Sequence, residues 1–194
     1  MKKENSRLLF FEGLLIVFSV MLALALDSWK ENLKNEKLIE ASLNEIFKEV
    51  TAMTYISELT NYNQNQLEIL DSLIDTYQNS RNDFVGSYGF GRPEVRNLAW
   101  ITSKENGIAA SFEPALFRDL AEVYIELGRL DNILAYNRDF DLKADPDMSE
   151  YKKAQHIRKQ FNLAIFRSRE LVKKSSALLG KYKDYKYFPE ELRE

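Results

Sequence analysis

The sequence predicts an all-α protein, in which an N-terminal transmembrane helix runs into a long stalk helix and an extracytoplasmic bundle of three long helices and one short helix. Three observations predict this class. Residues 8–26 are apolar over a length that fits a lipid bilayer. Further along the chain, apolar residues recur at intervals of three and four, which is the spacing of one helix face. The 194 residues include only seven Gly and four Pro, which favours long helices.

The first element is the stretch LLFFEGLLIVFSVMLALAL at 8–26. As a helix, its 19 residues would be roughly 28 Å long, and the hydrocarbon core of a bilayer is about 30 Å thick. Thirteen of them are Leu, Ile, Val or Phe, which together favour insertion by about 4–8 kcal/mol. Glu12 opposes insertion, but it lies near one end, where a charge costs less than the roughly 2.5–3.5 kcal/mol of the bilayer centre. We therefore predict a transmembrane helix.

The orientation of this helix follows from the residues that flank it. Basic residues are balanced, with Lys2, Lys3 and Arg7 before the span and Lys30, Lys34 and Lys37 after it. The terminal amine and the short tail 1–7 favour an N-terminus in the cytoplasm. We predict a single-pass protein of the bacterial cytoplasmic (inner) membrane whose remaining domain, 27–194, is periplasmic.

A cleaved signal peptide is the alternative for the same segment. The tripeptide Ala-Leu-Ala at 23–25 has the form of a cleavage site, and the mature protein would then begin after Ala25. However, the apolar core is long for a signal peptide and contains Glu12. The helical pattern also continues through Asp27 and Trp29, which leaves no extended segment for a peptidase. We therefore predict an anchor that stays attached.

Composition excludes several classes of function. The net charge of −3 provides no basic footprint for nucleic acid. The absence of Cys removes disulfides, thiolate zinc sites and thiol nucleophiles. His156 is the single His and cannot build a usual zinc site alone. We expect no cofactor and no catalytic or metal-binding residues in the domain formed by 27–194.

The stalk helix follows the span directly, because no Pro or Gly occurs from Asp27 to Tyr77. Its apolar face comprises Leu33, Ile39, Leu43, Ile46, Val50, Met53, Leu67, Leu70, Ile74 and Tyr77. The spacing is poor between Leu33 and Ile39 and again at 60–66. These interruptions predict a stutter or kink at both places.

Residues 79–93 are predicted to form a loop. Gly86, Gly89 and Gly91 would suit a phosphate-binding loop only with a strand before them and a helix after them. The preceding segment has a helical pattern instead, so we interpret the loop as a connection between helices.

A short helix is predicted after this loop. Pro93 lies in its first turn, and Gly107 ends it. Trp100 is its largest side chain. A Trp in a short amphipathic helix is more often a core residue than a ligand platform, and we interpret Trp100 in that way.

The next helix is predicted to begin with Ser111 as its N-cap and Pro114 in its first turn. It ends near Phe140. Gly128 costs it roughly 1 kcal/mol relative to Ala, and we interpret Gly128 as the mark of a close contact between helices. The buried stripe comprises Leu116, Leu120, Val123, Tyr124, Leu127, Leu130 and Leu134.

The last helix is predicted to open at Asp147 or Ser149 and to end at Pro189. The Ser-x-x-Lys pattern at 149–152 is interpreted as part of its cap, because the further motifs of penicillin-interacting enzymes are missing. The buried stripe comprises Tyr151, Ala154, Ile157, Phe161, Ala164, Ile165, Ser168, Leu171, Leu178 and Tyr182.

The segment from Asp139 to Glu150 is the nearest approach to a metal motif. Read as a twelve-residue calcium loop, it places Asp139, Asp141, Asp147 and Glu150 at ligand positions one, three, nine and twelve. However, Lys143 occupies a ligand position, and Ala144 stands where the sharp turn needs Gly. We interpret the segment as an acidic loop that caps the following helix, with calcium binding as the alternative.

Two blocks of the chain carry a family resemblance. They are Glu12-Gly13-Leu14-Leu15-Ile16-Val17, Leu22-Ala23-Leu24, Asp27, Trp29, Lys30 and Glu31 in the first block, and Ala99-Trp100, Ser103, Gly107, Leu116, Leu120 and Tyr124 in the second. In these residues the chain resembles a family of single-span, mostly helical membrane proteins of unknown function from gram-negative bacteria. The resemblance implies a membrane-anchored helical domain and supplies no catalytic residues. Ser28 departs from the pattern, which has an acid or an amide there.

Two classes of function are compatible with this architecture. The leading hypothesis is a non-enzymatic scaffold or accessory subunit that self-associates or docks on another membrane protein, because the stalk helix is longer than the later helices can cover. Its predicted contacts are Glu12, Trp29, Leu33, Leu38 and Ile39. The alternative is a sensory or ligand-binding bundle that acts through a separate signalling partner. An enzyme ranks third, because no nucleophile–base pattern occurs.

Overall fold

A computed structural model gives the fold of most of the chain. It describes residues 2–80, 91, 97–143 and 148–193, and the side chains among them except those of 2–12, 79–80 and 137–143. Within these residues every regular element is a helix, and no strand is present. The predicted all-α class is therefore confirmed.

Five α-helices and two short 3₁₀ helices make up this part of the chain. The α-helices are α1 (Lys2–Thr54), α2 (Ile56–Ser80), α3 (Leu98–Glu105), α4 (Pro114–Lys143) and α5 (Glu150–Tyr182), and the 3₁₀ helices are Ile108–Ser111 and Glu190–Leu192. The chain divides into two compact units, 1–41 and 42–194. The predicted boundary after residue 26 concerns the edge of the membrane, so it stays a prediction.

Helix α5 is central in the second unit, because it packs against both α2 and α4. It runs antiparallel to each of them, since contacts that ascend α5 descend the neighbouring helix. The pairs with α2 are Arg158–Asp71 at 2.7 Å and Arg169–Gln64 at 3.5 Å, and those with α4 are Arg167–Glu126 at 3.0 Å and Lys174–Glu122 at 3.7 Å.

The apolar stripes predicted from helical spacing form most of the core of the second unit. Every residue of the stripe predicted for α4 is buried, and in α5 only Tyr151 is half-buried. In the stalk helix, the stripe is buried from Leu43 to Ile74, whereas Leu33 is exposed. Phe188 completes the core, with its ring 4.8 Å from that of Phe47.

The predicted kinks are misplaced. Helix α1 continues through 33–39 and α2 through 60–66, and the interruption lies between them, at Tyr55. Thr60 and Asn63 fill the gap in the apolar seam as buried polar residues, so the helix continues there without a break. Polar side chains at these positions weaken the apolar periodicity of the sequence without interrupting the backbone hydrogen bonds of the helix.

The interruption at Tyr55 follows two threonines. The Thr51 hydroxyl donates to the Phe47 carbonyl at 2.9 Å, and the Thr54 hydroxyl donates to the Thr51 carbonyl at 2.7 Å. Such bonds from Ser or Thr back to the preceding turn often bend helices. The Tyr55 amide then bonds the Ala52 carbonyl at 3.2 Å, three residues back, as in a tight turn.

Several predicted helix ends need correction. Helix α3 begins at Leu98, later than predicted, and Pro93 lies outside the described residues. As predicted, it stops before Gly107. Gly107 has a φ of 73°, in the left-handed region. Pro114 is the first residue of α4, as predicted, but Ser111 belongs to a 3₁₀ helix and is not its cap.

The ends of α5 differ in the same way. Ser149 is its N-cap, as predicted, and the Ser149 hydroxyl accepts from the Lys152 amide at 3.4 Å. The helix ends at Tyr182, before the predicted end at Pro189. Two tight turns follow, in which the Tyr185 and Phe188 amides each bond a carbonyl three residues back at 2.9 Å. These turns bring Phe188 into the core.

Gly128 does not mark a close helix contact. It is half-buried in α4, and no described atom lies within 4 Å of the position that a Cβ would take. Gly128→Ala should therefore raise the free energy of unfolding by about 0.5–1 kcal/mol, because Ala loses less backbone entropy in a helix. Denaturant unfolding of the full chain in detergent measures the change.

Gly107→Ala is the matched control for this prediction. Space around Gly107 is also open, but its φ of 73° strains any residue with a Cβ. This variant should lose stability, so the two alanines should have opposite effects. An unfolding free energy that falls in Gly128→Ala would contradict the open space at that position.

Candidate functional site

The first candidate site is the exposed apolar surface of the first unit. From Gly13 to Leu38 every side chain is exposed. Between Leu14 and Leu26 the large apolar side chains have exposed fractions from 48% at Leu26 to 66% at Leu15. Soluble monomers rarely expose a contiguous apolar patch of more than a few hundred Å². This surface therefore needs lipid or protein to cover it.

The same helix meets the requirements for a membrane span. Among the described residues, one helix is long and apolar enough to cross a bilayer, and it begins near the N-terminus. The apolar window of this helix has none of its surface buried inside the protein, unlike the core helix of a globular domain. Length and composition alone do not separate an anchor from a signal sequence, which meets the same criteria.

The predicted contact residues do not lie on one face. Trp29, Leu33 and Leu38 are exposed by 59%, 41% and 42%. Ile39 is half-buried, and the Glu12 side chain lies outside the described residues, although its backbone belongs to α1. At about 100° per residue, Leu38 lies roughly 140° around the helix from Leu33.

One continuous apolar stripe does cross the end of the predicted span. It consists of Leu22, Leu26, Trp29 and Leu33, spaced by four, three and four residues, and is here called the Trp29 stripe. All four side chains are exposed. The stripe begins inside the predicted span and ends seven residues beyond Leu26. An apolar surface thus extends past the predicted end of the span.

A second cluster surrounds Trp100, which is a core residue with 5% of its surface exposed. Its ring stacks on that of Tyr124, with the centroids 5.0 Å apart. The Glu49 carboxylate accepts from the Ala99 amide at 2.8 Å and from the Tyr124 hydroxyl at 2.6 Å. Glu49 thereby caps α3 and ties α1 to α4.

Burial and Glu49 together shift the pKa of Tyr124. Burial, the hydrogen bond to Glu49 and the charge of Glu49 all raise the pKa of the Tyr124 hydroxyl far above its usual range. The tyrosine is therefore a neutral hydrogen-bond donor at physiological pH. Sequence analysis did not find this cluster, because Glu49 and Tyr124 are 75 residues apart and Glu49 lies in an ordinary charged helix.

A third cluster contains the buried carboxylate of Glu126, which has 1% of its residue surface exposed. Arg129 donates to one carboxylate oxygen at 3.0 Å from one turn along α4. Arg167 donates to the other oxygen at 3.0 Å from α5. Both oxygens are thus paired, which fits a structural role between α4 and α5.

The fourth cluster is centred on Asp119 of α4, whose partners lie in the last turn of α5. Its carboxylate accepts from Lys181 and, at 2.9 Å, from the Tyr182 hydroxyl. Partial burial alone raises the pKa of Asp119, but the hydrogen bonds from Lys181 and Tyr182 and the charges of Lys181 and Arg118 outweigh it. The pKa of Asp119 consequently lies below its usual value.

This lowered pKa makes the stability from Asp119 dependent on pH. The contribution is complete above the unfolded pKa of about 4 and disappears as the pH falls through the lower folded pKa. Asp119→Asn should cost about 1–2 kcal/mol at pH 7, and the difference from wild type should vanish in acid. Urea unfolding at a series of pH values tests this, with the exposed Asp184→Asn as control. A difference independent of pH would contradict the linkage.

The other candidate sites from the sequence lie largely outside the described residues. The loop at 79–93 lies outside the described residues apart from its first two positions, which end α2, and Gly91. In the acidic segment from Asp139 to Glu150, for which calcium binding was the alternative, the Asp139 and Asp141 side chains and all of Asp147 lie outside them too. Glu150 pairs with Lys153 at 2.6 Å. Among the described side chains, no group of three His, Asp or Glu is placed to hold a metal ion.

Comparison with known proteins adds no assignment. The chain matches no protein-family model, no curated protein and no solved structure. The clusters and surfaces described above are therefore the features from which a function can be proposed. Of these, the N-terminal apolar surface is the one whose side chains lack any cover within the described chain.

Proposed function

We propose that the protein is a membrane-anchored, non-enzymatic helical scaffold or accessory subunit. Residues 8–26 span a bacterial inner membrane once, with the N-terminus in the cytoplasm, and 27–194 form a periplasmic helical domain. The protein self-associates or docks on another membrane protein. The resemblance to single-span helical membrane proteins agrees with this proposal and stays a prediction.

One observation carries the proposal: the exposed Trp29 stripe continues the apolar surface beyond Leu26, the predicted end of the span. Within the span, lipid covers such residues at no cost. Beyond Leu26, however, Trp29 and Leu33 would remain in water at 59% and 41% exposure. Burial of a large apolar side chain contributes about 1.5–3 kcal/mol. A protein partner that buries this stripe therefore gains binding free energy from both residues.

The surroundings of the stripe support a protein partner rather than further lipid. Between Asp27 and Lys34 the helix carries charges of both signs on its other faces. Such a segment stays in water while one apolar face remains available for a second helix. Two copies anchored in the same membrane are already parallel and confined to two dimensions. Both effects raise their effective concentration and favour pairing.

The oligomeric state of the protein tests the proposal. After gentle extraction in mild detergent, the mass of the particle should exceed that of a monomer. Leu33→Lys should weaken the assembly by about tenfold or more, because it places a charge on the stripe. Light scattering combined with size-exclusion chromatography measures the mass.

Leu38→Lys is the matched control, because Leu38 is equally exposed but lies outside the Trp29 stripe. It should leave the assembly intact. A gently extracted protein that is always a free monomer would count against the scaffold. Equal effects of the two lysine variants would count against the Trp29 stripe as the contact surface.

A further inference from the structure

A groove between α2 and α5 has an unusual charge distribution. Its volume is about 270 Å³, and it is lined by Ser57, Thr60 and Asn61 of α2 and by Arg169, Val172 and Lys173 of α5. None of these lining residues is a carboxylate. Arg169 and Lys173 are one helical turn apart, so their cationic groups emerge on the same side of α5.

These two cations are not neutralised by the described side chains around them. Arg169 contacts the neutral amide oxygen of Gln64 at 3.5 Å. Among the described residues, neither Arg169 nor Lys173 forms an ion pair. The adjacent Glu170 lies about 100° around the helix from Arg169 and about 60° from Lys173. The groove therefore presents two positive charges to whatever enters it.

The groove on the opposite side of α5 shows a different arrangement. It lies between α4 and α5, has a volume of about 160 Å³ and includes two lysines as well. There, however, Lys174 pairs with Glu122 at 3.7 Å, and Lys181 pairs with Asp119. Because these carboxylates line the same groove, its charges are satisfied within the protein. Of these two grooves, the one between α2 and α5 has cations without carboxylates among its described lining residues.

The remaining lining of the groove suits a small anion with an apolar body. Ser57 and Asn61 are one turn apart on α2 and offer hydroxyl and amide donors opposite the two cations. Val172 and the methyl group of Thr60 provide apolar surface. Most ligand sites combine apolar walls with a few polar groups, and a volume of 270 Å³ is just below the range of drug-sized pockets.

We propose that this groove binds a small organic anion, with a phosphate or carboxylate head on Arg169 and Lys173 and a compact apolar body against Val172. Arg provides a planar, two-pronged donor and Lys a point charge, and both recognise such heads. This site goes beyond the scaffold function and does not depend on it.

Phenyl phosphate is a suitable probe, because it combines a phosphate head with a single apolar ring. Calorimetric titration of the full chain in a neutral detergent should show saturable one-to-one binding with a Kd on the order of 1 mM or tighter. Benzylamine, a cation of similar size, should not bind. Absence of saturation up to about 10 mM phenyl phosphate would overturn the proposal.

Two double variants locate the binding. Arg169→Met with Lys173→Met should weaken binding by about tenfold or more, because both charge-assisted hydrogen bonds are lost. Lys174→Met with Lys181→Met removes the same charge from the other groove and should leave the affinity unchanged. Equal weakening in both pairs would show a general effect of charge and would overturn the assignment.

A measurement on the unaltered protein covers the case in which a variant fails to fold. Reductive methylation followed by mass spectrometry should show that phenyl phosphate protects Lys173, whereas Lys181 reacts as before. Protection that is absent from Lys173, or equal at both lysines, would overturn the site. Neither result affects the oligomer measurement, so failure of this site is distinguishable from failure of the scaffold.

Discussion

The double variant Val17→Arg with Met21→Arg should no longer insert into membranes. Both positions are near the middle of the predicted span, where each arginine costs about 2.5–3.5 kcal/mol. Together they oppose insertion by about 5–7 kcal/mol. This is comparable to the free energy of about 4–8 kcal/mol by which the apolar residues of 8–26 favour insertion. Extraction of the membrane fraction with alkaline carbonate should therefore release this variant.

Asn32→Arg with Asn35→Arg is the control for this experiment. It adds the same charge to the same helix, but beyond the predicted end of the span at Leu26. This variant should stay in the membrane pellet with the wild type. If carbonate extracted neither double variant, the segment at 8–26 would not be what holds the protein in the membrane.

Removing both arginines from the Glu126 cluster should cause the largest loss of stability in the second unit. Arg129→Met with Arg167→Met leaves a carboxylate buried between α4 and α5 without either of its two partners. Breaking a buried ion pair in this way costs about 3–5 kcal/mol, because the remaining charge is uncompensated. Denaturant unfolding of the full chain measures the loss.

The opposite deletion provides the control. Glu126→Leu removes the buried charge, and the side chains of Arg129 and Arg167 are 53% and 28% exposed, so their charged ends can turn to water. Its cost should be clearly smaller than that of the double arginine variant. Replacing all three residues by apolar ones should recover much of the stability. A larger loss in Glu126→Leu would contradict the uncompensated charge as the cause.

The helices and their buried faces could be predicted because that information is local. The spacing of residues such as Leu120, Leu127 and Leu134 defines one face of α4 without reference to any other helix. The same holds for the stripe of α5 around Phe161 and Leu171. The apolar surface of the first unit was predictable for the same reason, since composition and length alone identify a segment that fits a bilayer.

The features that the sequence did not reveal depend on contacts between distant residues. Helix α3 begins at Leu98 and not at Pro93, and the capping carboxylate at its start comes from Glu49, 50 residues earlier in the chain. Glu126 carries no local sign that it is buried, because a charged residue in a helix is normally exposed. Gly128 suggested a close contact, which only a neighbouring element could have supplied. In each case the partner, and not the residue itself, decides the role.

The break at Tyr55 and the end of α5 show a second limit. Irregular spacing of apolar residues at 60–66 predicted a kink, but Thr60 and Asn63 are buried there as polar residues in a continuous helix. At the other end, Pro189 suggested where α5 stops, although the chain leaves the helix at Tyr182. Helix ends are set by small differences in hydrogen bonding, and a pattern of side chains determines them only to within a turn or more.

In the proposed arrangement, an apolar N-terminal helix stays attached to the helical domain and holds it in a membrane. The mass of the protein purified from the membrane fraction, together with its N-terminal sequence, tests this most directly. We expect a chain that still contains residues 8–26 and that alkaline carbonate does not extract. A mature chain that begins after Ala25 and appears in the soluble fraction would contradict it.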